Sequence, residues 1–157
     1  MANAVLDAVD RGILFMLQQD ARNNVASTIA TKIGVAPNTV RNRIERLESS
    51  GIIERYYPQL NYERAGYQLH VIFLGTVPIA ARRAHADELL HINGVISVTE
   101  ILSGHHNLTI EAIGVDTNDI TETAESIEER GIDIYDERLV KRVRTRPLGH
   151  FDTTETN

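Results

Sequence analysis

Residues 28–49 leave few folding choices. Two short helical patterns are joined there by Gly34-Val35-Ala36-Pro37-Asn38, and the second carries Val40, Ile44 and Leu47 at i, i+4 and i+7. That spacing lines apolar side chains along one stripe of a helix. Gly34 suits a helix C-cap because glycine tolerates positive φ, and Pro37 suits a first turn, where its missing N–H costs nothing. The opposite edge of the second helix holds Asn38, Asn42, Glu45, Arg46 and Ser49. This is the layout of a helix-turn-helix. Asn38, Thr39 and Asn42 are side chains able to reach base edges, and Arg41, Arg43 and Arg46 suit phosphate or guanine. A solvated helix face, with Glu45 and Glu48 paired to arginine, uses the same residues.

The chain has 157 residues, 42% hydrophobic and 24% charged, and no run approaches the roughly 18 apolar residues of a membrane span. Its first residues lack the basic-then-apolar order of a leader, so the expected location is the cytoplasm, on the nucleoid. With no cysteine there is no disulfide, thiolate zinc site or cysteine nucleophile.

A net charge of −6 looks wrong for a nucleic-acid binder until it is divided along the chain. Residues 1–62 hold seven basic and six acidic side chains, a net of +1, whereas residues 63–157 hold nine against sixteen, a net of −7. The positive footprint is small, and it coincides with the helix-turn-helix.

A helix is expected over 7–19, with Leu6, Val9, Ile13, Leu14 and Leu17 on its buried face. After Gly51, Ile52-Ile53-Glu54-Arg55-Tyr56-Tyr57 reads as a short strand, a wing or a link, stopped by Pro58. Residues 58–66 read as a hinge. Beyond it the pattern predicts strand 67–77, helix 79–91, strands 95–102 and 107–114, helix 118–130 and strand 132–143. That βαββαβ order is the ferredoxin-like fold. The expected organisation is therefore α+β: a winged-type helix-turn-helix domain over 1–62, a ferredoxin-like effector-binding and oligomerisation domain over 63–150, and a polar tail over 151–157. Val71, Phe73, Val98, Leu108 and Ile110 make the strands too apolar to leave one sheet face in water, which predicts sheet-to-sheet dimerisation.

With these residues in place, the chain resembles the Lrp/AsnC, or feast/famine, family of prokaryotic transcription regulators. Leu6-Asp7, Asp10-Arg11, Ile13-Leu14, Leu17-Gln18 and Asp20-Ala21-Arg22 resemble that family's opening helix and its exit. Ile33-Gly34-Val35-Ala36-Pro37, Val40, Arg43-Ile44, Arg46-Leu47-Glu48 and Gly51-Ile52-Ile53 resemble its recognition helix and the strand after it. Ser103-Gly104 resembles the loop that helps form an effector site between subunits. The resemblance implies a sequence-specific binder of double-stranded DNA, a homodimer of a kind often assembled into octamers in that family, and a response to a small molecule such as an amino acid, with Gly104, His105, His106 and Asn107 in the effector loop. Two positions depart from the pattern. Ala36 stands where the family commonly has serine, removing an N-cap hydroxyl worth about 1 kcal/mol. His105 stands at a commonly acidic place, and a neutral imidazole cannot supply a carboxylate's charge.

The pair His105-His106, with His70 or Glu100, invites a metal reading, but adjacent residues of an extended chain point oppositely, and no metal is expected. The run Arg138, Lys141, Arg142, Arg144 and Arg146 reads as a solvated strand end rather than a second DNA contact. Glu100, Glu111 and Glu137 have no spacing that ties them to a nucleophile or base, so neither catalysis nor a cofactor is expected. Two other readings stay open at this point: a ligand-binding or enzymatic αβ module, and a non-specific architectural DNA binder.

Overall fold

The computed structural model describes residues 6–102 and 104–149. The expected tail 151–157 and Ser103 lie outside the described residues. The described residues divide into two compact units, 6–58 with 144–149, and 59–102 with 104–143. Residues 144–149 group with the N-terminal unit, where the Leu148 N–H reaches Gln18 Oε1 at 3.4 Å.

The N-terminal unit contains α1 (Ala8–Asp20), α2 (Ala26–Ile33) and α3 (Pro37–Ser49). A capping box starts α1: Asp7 Oδ1 accepts from the Asp10 N–H at 2.9 Å, and Asp10 Oδ2 accepts from the Asp7 N–H at 3.2 Å. Gly34, at φ 74°, ends α2 in the left-handed conformation, its N–H and that of Val35 both bonded to the Ala30 carbonyl. Pro37 opens α3 with no side-chain cap, as Ala36 requires. Ile13, Leu14, Met16, Ile29, Ala30, Val40 and Leu47 form the core where the three helices meet, with Ile44 packed at its margin.

No strand forms over 52–57, contrary to expectation. The Ile52 and Ile53 N–H groups both turn back to the Leu47 carbonyl, capping α3, and no neighbouring strand among the described residues supplies the ladder that an isolated extended segment needs. Tyr56 instead donates its hydroxyl to Glu48 at 2.9 Å.

The second unit holds β1 (Leu69–Thr76), a 3₁₀ turn (Ile79–Ala81), α4 (Arg82–Leu89), β2 (Val95–Glu100), β3 (Leu108–Gly114), α5 (Thr117–Glu128) and β4 (Asp133–Leu139). All pairings are antiparallel, in the order β2-β3-β1-β4. This is the ferredoxin-like order, with two helices packed against the sheet. Gly75 is where β1 needs a glycine, since a Cβ there would sit 2.6 Å from Ile132 Cγ2.

The residues behind the expected dimerisation lie on the wrong face. Val71, Phe73, Leu108 and Ile110 are buried in the core beneath the helices, and Val98 packs against it. Alternation along the strands turns a different pair outward, the half-buried Ile72 and Leu74 on β1, while Ile113 on β3 is already buried within the chain. This apolar centre is flanked by His70–Glu111 at 3.2 Å and Arg138–Asp136 at 2.8 Å. No helix among the described residues is long and apolar enough to cross a membrane.

Candidate nucleic-acid interface

The polar edge of α3 divides into two sets. Asn38, Arg41 and Asn42 are exposed and Thr39 is half-buried, all within the first two turns. Within this set the Arg41 guanidinium donates to Asn38 Oδ1 at 2.6 Å, so the two side chains form one exposed array in which the arginine is already oriented. These groups offer amide and guanidinium donors and amide and hydroxyl acceptors, the functions that pair with base edges in a major groove.

Arg43 and Arg46 belong to the other set. Arg43 Nη1 lies 2.7 Å from Asp7 Oδ2 and 3.2 Å from Asp10 Oδ1, and Arg46 Nη2 lies 2.6 Å from Asp10 Oδ2. The Asp10 side chain is 0% exposed. A carboxylate so completely removed from water needs compensating charge, and two arginines of α3 provide it. Positions 43 and 46 are one turn apart, and Arg46, although its side chain is 54% exposed, turns one guanidinium nitrogen to Asp10 rather than standing unpaired beside Asn38 and Asn42. The N–H of Asp10, then the Arg43 guanidinium, hold the Asp7 carboxyl below its ordinary range, and the same ion pair raises the guanidinium of Arg43. Burial, and then the bond to Glu48, push the Tyr56 phenol up to about 12. Sequence reading misses Asp7 and Asp10 as partners of the interface helix, although both stand in the opening-helix motif.

A family model described as winged helix-turn-helix DNA-binding matches residues 6–54, the stretch that holds all three helices. The uncharacterized HTH-type transcriptional regulator PF1231 of Pyrococcus furiosus is 33% identical over 107 residues, which cover 68% of this chain and 71% of that protein. Similarity to PH1692 of Pyrococcus horikoshii, another uncharacterized HTH-type transcriptional regulator, is 46% but spans 67 residues, 43% of this chain and 45% of that protein's length. The regulatory protein AsnC of Escherichia coli aligns over almost the whole chain, 26% identical with 99% of this chain and 91% of that protein covered. The chain belongs to the Lrp/AsnC family. Among solved structures, the transcriptional regulator NMB0573/L-Met complex from Neisseria meningitidis shares the fold, with a TM-score of 0.74, 21% identity, and 92% and 96% of the two chains covered. This Lrp/AsnC chain is thus a transcription regulator with a DNA-binding helix-turn-helix.

In the regulator's second unit, the four residues of the expected effector loop have different environments. Gly104 takes φ 111°, a conformation reserved for glycine, and His105 is exposed. His106 stacks on Tyr135 of β4, with ring centroids 3.9 Å apart and an interplanar angle of 22°, and its Nδ1 lies 3.3 Å from Thr76 Oγ1. Thr76 also donates to the His105 carbonyl at 3.0 Å. Asn107 is buried and fully engaged: its Oδ1 accepts from the Val77 N–H at 3.0 Å and its Nδ2 donates to the Val77 carbonyl at 2.7 Å. The loop thus presents His105 and His106 at the edge of the sheet, with Thr76 and Tyr135 as neighbours that the sequence does not single out. At the other end of β3, Asn93, Gly94, Asp119, Glu122 and Thr123 line a polar cleft of ≈ 330 Å³. No group of three or more His, Asp or Glu side chains among the described residues is arranged to hold a metal.

Proposed function

We propose that this Lrp/AsnC regulator acts as a homodimer that reads a partly palindromic operator through Asn38, Thr39, Arg41 and Asn42, with Arg43 and Arg46 holding the reading helix from behind. The observation that carries the reading is the exposed Asn38–Arg41 array on the first turns of α3, the end of a recognition helix that enters a major groove. Dimerisation is supported by the half-buried outward pair Ile72 and Leu74, whose contact with a second copy would remove apolar surface from water. Further association to octamers, a cytoplasmic location on the nucleoid, and action by binding rather than catalysis belong to the same proposal.

The loop Gly104-His105-His106-Asn107 is proposed to meet a small-molecule effector, with His105 and His106 as the contacting side chains and Gly104 and Asn107 setting the loop's shape. The L-Met in the NMB0573 complex makes an amino acid the first candidate. An effector that binds one spacing of the paired recognition helices better than another shifts the population toward it, and so changes the fit to two half-sites about one helical turn apart.

Footprinting on duplexes selected from a random pool tests the reading. Protection of two related half-sites in inverted orientation is the expected outcome. A single unsymmetric footprint, or equal binding to selected and scrambled duplexes at every salt concentration, would contradict it.

A further inference from the structure

The acidic residues beneath the recognition helix bear on how the regulator treats DNA that is not its operator. We propose that Asp7 and Asp10 are positioning residues for specificity: acting as internal counter-anions, they withhold Arg43 and Arg46 from DNA phosphates and so weaken attraction to random duplex relative to reading by Asn38, Thr39, Arg41 and Asn42. This rests on the DNA-reading function proposed above.

Three observations support it. The four side chains form a balanced set, two guanidiniums against two carboxylates, with contacts of 2.7, 3.2 and 2.6 Å. Asp10 is wholly buried, so an incoming phosphate cannot replace it while the three helices stay packed. Arg41, the remaining arginine of α3, is bonded to neutral Asn38 and keeps its full charge for the groove.

The consequence follows from the polyelectrolyte character of DNA. Each phosphate neutralised by a protein cation releases about 0.9 of a counterion, and this sequence-independent term supplies nearly all non-specific affinity. A guanidinium already compensated by a carboxylate adds little to it. Specific contacts made by Asn38, Thr39, Arg41 and Asn42 are unaffected, so the ratio of specific to non-specific binding rises. A chain of net charge −6 needs such selectivity to come from placement rather than from a basic surface.

The test uses the full chain and fluorescence anisotropy on two probes across a salt series, a duplex enriched from a random pool and its scrambled counterpart. Asp7→Asn keeps a side chain that caps helices well, and Asp10→Asn keeps the shape of the buried group. Both are expected to bind scrambled duplex more tightly, by about 3- to 10-fold at low salt, with a log–log salt slope steeper by up to about one per freed guanidinium. The enriched-to-scrambled ratio should fall with it. Arg46→Gln should leave the wild-type slope unchanged. Slopes that stay the same in both Asn variants, or an Arg46→Gln slope flatter by about one, would overturn the proposal, the latter by showing Arg46 on a phosphate. A role confined to folding would lower affinity for both probes in parallel. Should Asp10→Asn fail to fold, Asp7→Asn and Arg46→Gln decide the matter. Wild type that ignores both duplexes would instead sink the DNA-reading function itself.

Discussion

Arg46 and Asp10 stand 36 residues apart in sequence and meet at 2.6 Å, the arginine half-exposed and the aspartate shut off from solvent. The contact ties the start of α1 to the last turns of α3, so the orientation of the recognition helix is fixed by charge as well as by the apolar core beneath it. Arg43 joins from the same helix face, and the capping box joins Asp7 to Asp10.

Removing Asp10 deletes the acceptor for Arg43, Arg46 and the Asp7 N–H together. Asp10→Ala should destabilise the N-terminal unit by about 2–3 kcal/mol, below the full cost of breaking a buried pair because the arginines relax into water. Arg46→Ala should cost less, about 1–2 kcal/mol, since Arg43 still faces the carboxylate. Urea titrations of the two variants, with helix content as the signal, check both size and order.

Hydrogen bonds to the carboxylates of Asp7 and Asp20, with the Arg43 ion pair added at Asp7, also set a pH dependence. Asp7 and Asp20 both have carboxyls held below their ordinary value of 3.8, Asp7 by the N–H of Asp10 and then Arg43, and Asp20 by the side chain and N–H of Asn23. A depressed carboxyl contributes stability above its unfolded pKa, and the contribution disappears as pH falls through the lower folded value. Thermal melts should therefore show Tm falling from about pH 4 downward. Asp7→Asn, which keeps the cap but cannot titrate, should show a shallower fall. Parallel curves for the two proteins would exclude Asp7 as a contributor.

Asn107 is expected to act through the fold rather than through a ligand. Its side chain satisfies both the N–H and the carbonyl of Val77 inside the second unit. Asn107→Ala strands two buried backbone groups and should destabilise that unit by about 2–4 kcal/mol. His105→Ala, at an exposed position, should leave stability within about 0.5 kcal/mol. If His105→Ala lowers amino-acid binding by calorimetry at unchanged Tm, the division of labour within the loop is established.

These contacts show which parts of the chain can be read locally. Val40, Ile44 and Leu47 announce a buried stripe because helical periodicity is written within eight residues, and Gly34 announces its turn because only glycine takes that φ cheaply. The βαββαβ order is legible for the same reason. The face on which Val71 and Phe73 lie is not, because alternation separates two faces without saying which one the helices cover. The partners of Arg43 and Arg46 depend on how α1 crosses α3, which no local period encodes. Tyr135 reaches His106 through a pairing that shifts register between Leu74 and Gly75, and such a bulge leaves no compositional mark.

The Asn38–Arg41 bond allows a prediction about which base is read. Its acceptor is Asn38 Oδ1, so the amide presents mainly its donor hydrogens outward, and Arg41 presents the remaining donors of its fork. An array dominated by donors matches the O6 and N7 acceptors of guanine better than adenine, whose edge mixes a donor with an acceptor. Arg41→Ala should therefore relax discrimination at one guanine per half-site by about 1–3 kcal/mol, with a salt slope shallower by about one. Asn38→Ala leaves the charge in place but frees the guanidinium to move, so it should reduce discrimination at that same guanine while the slope holds. Selection from randomised duplexes with each variant separates the two effects. Loss of preference at different positions in the two variants would mean that these side chains read independently rather than as a pair.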